Sequence, residues 1–358
     1  MKYRVLGRSG LKVSELCLGT MTFGEEFGIG APEAECRAVF DGFTAAGGNF
    51  LDTADMYNAG TSERMLGEFA ARDRDYFVLA SKYSLSTRPD DPNAGGSHRK
   101  NLSQSLNATL RRLQTDYLDL YWVHGWDGST DMAEVMRALD DQVRAGKILH
   151  IGISNAPAWI VAAANTLATE RNMTPFTAMQ LHYNLLERSI ERDHFTLARA
   201  HDMAILPWSP LAGGLLTGKF DRGAKSDDLD AARLSNSPRA AQVLQDRNLE
   251  VAEAVSAHAR ELGCSTAQLA LAWMLRRSDE CVVPIIGARN AAQLSDNLGA
   301  VDVAPDADVL ERLDALTALD VEYPHTLYAS EFFSAMMYGE VRPSIELDRL
   351  WVDRPWGR

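Results

Sequence analysis

Short apolar runs, each followed by a stretch of helical periodicity, organise most of the chain. The runs are "ELCLG" (15–19), "NFLDT" (49–53), "FVLAS" (77–81), "LDLYWVH" (118–124), "ILHIGIS" (148–154), "FTAMQL" (176–181), "AILPW" (204–208) and "CVVPIIG" (281–287). Amphipathic helices are predicted between them at 33–46, 62–72, 99–113, 131–145, 157–170 and 188–201, with a longer helical region at 246–277. Continuously apolar strands alternating with helices indicate a parallel sheet covered on its outer face. Eight such units in one uninterrupted series favour an α/β fold of the (β/α)8 TIM-barrel type over an open doubly wound sheet. "YRVLGRSGLKVSE" reads as an N-terminal β-hairpin with Gly10 in its turn, placed to plug the barrel floor.

Two polar stretches, 86–98 and 221–238, read as long loops on the C-terminal face of the barrel, where lids and binding loops belong. No repeat, low-complexity tract or linker divides the chain. The expectation is one domain over 1–358, with the barrel at about 15–320 and a C-terminal extension at 321–358. That extension carries Phe332, Phe333, Trp351 and Trp356, which suit a pocket wall, a subunit contact or packing over the barrel.

Charge narrows the partners. Against 36 basic residues stand 49 acidic ones, a formal net charge of −13, which argues against nucleic acid and against an anionic membrane surface. Cys17, Cys36, Cys264 and Cys281 are widely spaced, with no CxxC pair, and read as free thiols rather than disulfides or a metal site. No apolar run reaches membrane-spanning length and the N-terminus lacks a signal-peptide pattern, so a cytoplasmic protein is expected.

In a barrel of this kind chemistry gathers at the C-terminal ends of the strands. There the sequence places Asp52 and Tyr57 at the end of the second strand, Lys82 at the end of the third and His124 at the end of the fourth. Any one of them alone is ordinary end-of-strand polarity. Together they form a general-acid device. A lysine ammonium lowers the pKa of a tyrosine, a carboxylate keeps that lysine charged, and a histidine orients a carbonyl oxygen. Such a device protonates an oxygen as hydride reaches its carbon, which requires a hydride-carrying cofactor. The usual dinucleotide fingerprint is missing: "GEEFGIGAPE" has Gly28 and Gly30 but Glu33 where a third glycine is needed.

"PLAGGLLTGKF" (210–220) poses a separate choice. Gly213, Gly218 and Lys219 match most of a nucleoside-triphosphate loop, but Phe220 stands where a magnesium-binding Ser or Thr belongs. An ATPase would also need a helix to start there, and "KFDRGAKSDD" is polar and glycine-broken. The alternative is a different phosphate, in a dinucleotide.

The segments "RVLGRSGLKVSELCLGTMTFG", "FLDTADMYNAGTSERMLGE", "LQTDYLDLYWVHGWD", "GKILHIGISN", "MQLHYNLLER", "PWSPLAGGLLTGKF" and "PIIGARNAAQLSDN" together resemble the aldo-keto reductases, from residue 3 to about 300. The style is closest to the branch of bacterial general reductases and potassium-channel β-subunits. The resemblance implies Tyr57 as proton donor, Lys82 and Asp52 as its tuning partners and His124 as the carbonyl-orienting residue, without a metal. It also implies an NADPH/NADP+ cofactor. Ser154, Asn155 and Gln180 would hold the carboxamide, with Gly19, Thr20 and Met21 on the ribose and nicotinamide side. Trp208 would stack on the nicotinamide at a position often held by Tyr. Ser209, Pro210, Leu211, Ala212 and Gly214 would follow the pyrophosphate, with Lys219 as its cation. Gly287, Arg289, Gln293, Asp296 and Asn297 would meet the adenosine end, Arg289 pairing with the 2′-phosphate. The implied activity is reversible reduction of a small-molecule aldehyde or ketone. A cofactor-binding sensor with little turnover, as the channel-subunit resemblance allows, is the alternative.

Overall fold

A computed structural model describes residues 1–219, 243–276, 281–328 and 330–345. The expected loop at 221–238, and Trp351 and Trp356 of the extension, lie outside the described residues. The chain opens with an antiparallel hairpin of β1 (Tyr3–Val5) and β2 (Lys12–Ser14), registered Tyr3 to Ser14. Eight strands then form one parallel sheet: β3 (Cys17–Gly19), β4 (Phe50–Asp52), β5 (Val78–Tyr83), β6 (Leu118–Val123), β7 (Ile148–Ser154), β8 (Phe176–His182), β9 (Ala204–Trp208) and β10 (Ile285–Ile286). Their spatial order is β10-β3-β4-β5-β6-β7-β8-β9. Ile205 of β9 donates to Cys281 O at 2.8 Å and accepts from Val283 N at 2.9 Å, which brings the sheet's two ends together as a nearly closed barrel. The (β/α)8 expectation holds.

The last strand differs from its expected span. Pro284 has no N–H to give the ladder, so "CVVPIIG" divides. Cys281 to Val283 engage β9, and Ile285–Ile286 pair with Cys17 and Leu18 of β3.

The covering helices are α1 (Glu33–Ala45), α2 (Thr61–Ala70), α3 (Arg99–Leu113), α4 (Met132–Arg144), α5 (Ala158–Glu170) and α6 (His194–His201). The α6 helix is shorter than the expected 188–201, because Ser189–Glu191 forms a 3-10 turn in which Arg188 folds back onto Glu191. The single helical region at 246–277 is two helices, α7 (Asp246–Glu261) and α8 (Thr266–Leu275). Gly263 turns left-handed at φ +69, and Ser265 starts α8 with a capping box to Gln268. Among the described residues, four further helices follow: α9 (Ala291–Leu298), α10 (Ala307–Leu316), α11 (His325–Tyr328) and α12 (Glu331–Tyr338). No helix among the described residues is long and apolar enough to cross a membrane.

Strand alternation sorts the barrel into two cores. One face of each strand joins the helices in the large outer core. The other fills the lumen with Cys17, Phe50, Val78, Ala80, Leu120, Trp122, Ala178, Ala204, Leu206, Val283 and Ile285. Leu6 and Val13 from the hairpin complete this inner cluster, so the hairpin closes the barrel bottom as expected. The conformationally demanding turn residue is Gly7 rather than Gly10. It sits at φ +50, and a Cβ there would lie 2.4 Å from Thr177 O, whereas a Cβ on Gly10 would meet open space.

Two residues beyond the inward apolar positions, the period-2 rule puts polar residues into the same lumen at its upper end. Phe50 is followed by Asp52, Ala80 by Lys82, Gly152 by Ser154, Ala178 by Gln180 and Leu206 by Trp208. The strand pattern itself builds the site: apolar below, polar above.

Candidate active site

Lys82 is fully buried, and its ammonium meets three groups at once. It donates to Asp52 Oδ2, to Thr53 O at 2.7 Å and to the Tyr57 hydroxyl at 3.2 Å. Its Nζ also lies 4.7 Å from the Tyr57 ring centroid. Burial alone would pull the lysine pKa down, but the Asp52 carboxylate and Tyr57 leave it above its ordinary value. The ammonium is therefore held charged against the phenol. Burial pushes the Asp52 carboxyl up, opposed by Lys82, by Gln180, whose Nε2 donates to Oδ1 at 2.9 Å, and by the Trp122 side chain.

His124 completes the group from the end of β6. Its ring meets that of Tyr57 edge-on, with centroids 5.9 Å apart. Burial, helped by Lys82, drives its pKa down to about 3, so the imidazole is neutral at physiological pH. The four residues expected to carry the chemistry are thus brought together.

The turn after Tyr57 aims its side chain. Asn58 and Ala59 hold φ of 45° and 52°, and Gly60 follows at φ 86°. Asn58 is fully buried: it accepts from Phe27 N at 2.8 Å and donates to Met21 O and Phe23 O, each at 3.0 Å. Sequence reasoning passed over this residue. Its signal was the "NAG" after the tyrosine, because asparagine and glycine tolerate the left-handed region best.

The residues expected to meet the carboxamide also cluster. Asn155, at φ 52°, donates to His124 O and to Ser154 Oγ, each at 2.9 Å, and accepts from Trp208 Nε1 at 3.0 Å. His182, another residue missed in the sequence, stacks on Trp208 with centroids 4.1 Å apart and planes at 9°. Thr20 is turned away from the mouth: it is fully buried, and its hydroxyl bonds Asp52 O and Ser62 Oγ. Gly19 lies under Ile285, where a Cβ would come within 2.6 Å, and Met21 is half-buried beside it in sequence.

Beyond Trp208 the backbone enters an unusual run. Ser209, Ala212, Gly213, Gly214 and Gly218 all have positive φ, and Ser209 Oγ accepts from Gly213 N at 3.1 Å. The short 3-10 stretch Ala212–Thr217 is broken at Gly213, Gly214 and Leu216. Pro210 is buried, Leu211 half-buried and Lys219 exposed, while Phe220 lies outside the described residues. At the far end Asn290 caps α9, Gln293 accepts from Arg289 N at 2.9 Å, and buried Asn297 donates to Gly287 O at 3.2 Å. Gly287 has open space at its Cβ position, and Asp296 O accepts from Gln268.

Two loops frame the mouth. Asp127 accepts from Ser97 N at 2.6 Å, from the Thr130 hydroxyl and from the backbone N–H groups of Ser129 and Thr130. These bonds outweigh burial and hold its carboxyl well below the usual range. The extension meets the β8–α6 loop, where Arg192 pairs with Glu322 at 3.3 Å and His325 lies 3.9 Å from Asp193. Its α12 buries no residue; Phe332, Met336 and Met337 are all largely exposed.

Residues 15–318 match the profile of the Aldo/keto reductase family. The chain is 36% identical over 333 residues to norsolorinic acid reductase stcV of Emericella nidulans, covering 90% of this chain and 83% of that protein. Norsolorinic acid reductase B of Dothistroma septosporum is 34% identical over 346 residues, 93% of this chain and 86% of its own length. An aryl-alcohol dehydrogenase of Pestalotiopsis microspora is 33% identical over 334 residues, 90% and 84% respectively.

Proposed function

Because the chain belongs to the aldo/keto reductase family, we propose that it reduces an aldehyde or ketone to the alcohol with NADPH, reversibly, with Tyr57 as proton donor. The observation that carries this reading is the buried ammonium of Lys82, bonded to Asp52 and to the Tyr57 hydroxyl at the barrel mouth. When bound, the cofactor supplies the hydride. The residues present suit it: amide and hydroxyl groups of Ser154, Asn155 and Gln180 for a carboxamide, Trp208 as a flat apolar face, and the left-handed run from Ser209 to Gly218 for close approach of a pyrophosphate. Lys219 and Arg289 would add the cations that a phosphorylated ligand needs in an acidic protein. This is the phosphate that the glycine and lysine pattern would meet, and it calls for no magnesium-binding hydroxyl at 220.

Tyr57 holds the proton at its hydroxyl until the carbonyl oxygen gains charge, then gives it up. Lys82 stabilises the phenolate left behind, and Asp52 keeps Lys82 charged and aimed. Neutral His124 donates a hydrogen bond to the carbonyl oxygen without competing to protonate it. The names of the relatives make aryl aldehydes and ketones the first substrates to try.

The test is NADPH oxidation with a panel of aryl and aliphatic carbonyls, repeated with Tyr57→Phe. Turnover that depends on Tyr57 is the expected result; equal turnover in the variant would remove Tyr57 from the reaction. Tight NADPH binding with no turnover on any carbonyl would favour a sensing role.

A further inference from the structure

Asp52 and Gln180 stand on opposite walls of the barrel. Their strands, β4 and β8, are the third and seventh of eight in the sheet order, four apart in either direction round the closed barrel. Their side chains nevertheless meet across the lumen, Nε2 to Oδ1 at 2.9 Å, and both are buried. The carboxylate's two oxygens are divided between partners, Oδ1 with Gln180 and Oδ2 with Lys82. An ionised carboxylate only accepts, so the amide must present its NH2 to Asp52. This strut roofs the apolar lumen directly beneath the Lys82–Tyr57 contact.

We propose that Gln180 is a positioning residue for the proton donor, acting through Asp52 and Lys82 on Tyr57, in addition to any contact with a cofactor. The proposal rests on the reading of Tyr57 as the acid. Two routes lead to the same sign. Without the Gln180 donor a buried Asp52 is a poorer anion, and where it takes the shared proton from Lys82 the amine left behind is neutral and no longer stabilises a phenolate. If Asp52 stays ionised instead, its charge is no longer shared with the amide and cancels more of the Lys82 field at the phenol. In both cases Tyr57 releases its proton less readily.

Gln180→Met removes the donor at similar volume. Phenolate absorbance, titrated in protein without cofactor and corrected with Tyr57→Phe, isolates Tyr57. The expected result is a Tyr57 pKa raised by about one unit, a tenfold weaker acid, with the alkaline limb of kcat moving by the same amount. A purely cofactor-holding Gln180 predicts weaker NADPH binding with the phenolate titration superimposed on wild type, and that outcome overturns the proposal. If Gln180→Met fails to fold, Gln180→Asn, one methylene short of Asp52, must give the same shift or the link is refuted. The phenolate titration needs no turnover, so failure of the reductase reading and failure of this link are read separately.

Discussion

Ser97 donates its backbone N–H to the Asp127 carboxylate at 2.6 Å, and this bond fastens the loop after β5 to the loop after β6. Gly96 makes room for it: a Cβ there would lie 3.2 Å from Asp127 Oδ2 at φ +83. Both loops border the mouth above Lys82 and His124. Asp127→Ala removes four accepted hydrogen bonds and should raise KM for the carbonyl while leaving NADPH affinity unchanged. Parallel loss of both would show that these loops do not bound the substrate alone. Because its partners depress the Asp127 pKa, the carboxylate that makes the tie stays ionised below the ordinary carboxylate range. It should persist as pH falls through about 4, and hydrogen exchange at Ser97 would detect an earlier release.

Asp55 is the opposite case. It is buried behind the site, and neither carboxylate oxygen has a hydrogen-bond partner among the described residues. Beside it Glu63 is satisfied by Ser81 at 2.6 Å and by Arg112 at 2.5 Å. Burial and the Glu63 charge, against Ser105 and Arg112, raise the Asp55 pKa from 3.8 to about 7. The folded state therefore binds a proton that the unfolded chain has released between those two values, and stability falls as pH rises through that window. Asp55→Asn should stabilise the protein at pH 8, by a few kcal/mol at most on the scale of ~1.4 kcal/mol per unit, and hardly at pH 4. Equal effects in denaturant titrations at the two pH values would count against a protonated Asp55.

Asn58 anchors the turn that carries Tyr57. Asn58→Ala deletes three buried hydrogen bonds and leaves an alanine at φ 45°. At about 1 kcal/mol per bond plus about 1 kcal/mol of conformational cost, a loss of roughly 4 kcal/mol is expected. It should come with a fall in kcat larger than any rise in KM, since Tyr57 loses its aim. Asn58→Gly should share the bond loss but not the strain, and a melting comparison of the two separates these contributions.

Much of this arrangement was legible in the chain because strands repeat every two residues. Eight apolar runs gave the barrel, and the polar residues at the ends of three of them gave Asp52, Tyr57, Lys82 and His124 as neighbours on one rim, whereas Ser154 and Gln180 were implied by the family resemblance. What escaped were side chains whose role is set by distant backbone. Asn58 matters because of where Met21, Phe23 and Phe27 run, and no local pattern encodes that. His182 gains its place only from the pairing of β8 with β9, which sets Trp208 beside it. Thr20 shows the converse: adjacency in sequence to a cofactor-facing stretch did not decide which way its side chain points.

Gly152 offers a test of the lumen itself. A Cβ at this position would lie 2.3 Å and 2.4 Å from ring carbons of Trp122, which is fully buried next to Asp52. Gly152→Ala should destabilise by about 1–3 kcal/mol through overpacking and change tryptophan fluorescence. An unaltered melting temperature would mean that the indole can move aside freely.

The packed lumen has a kinetic consequence. Its apolar side chains, with Leu6 and Val13 beneath them, make the barrel interior a core rather than a passage. Two reactants that meet at Lys82 and Tyr57 would therefore share one mouth, and the one seated deeper would have to enter first and leave last.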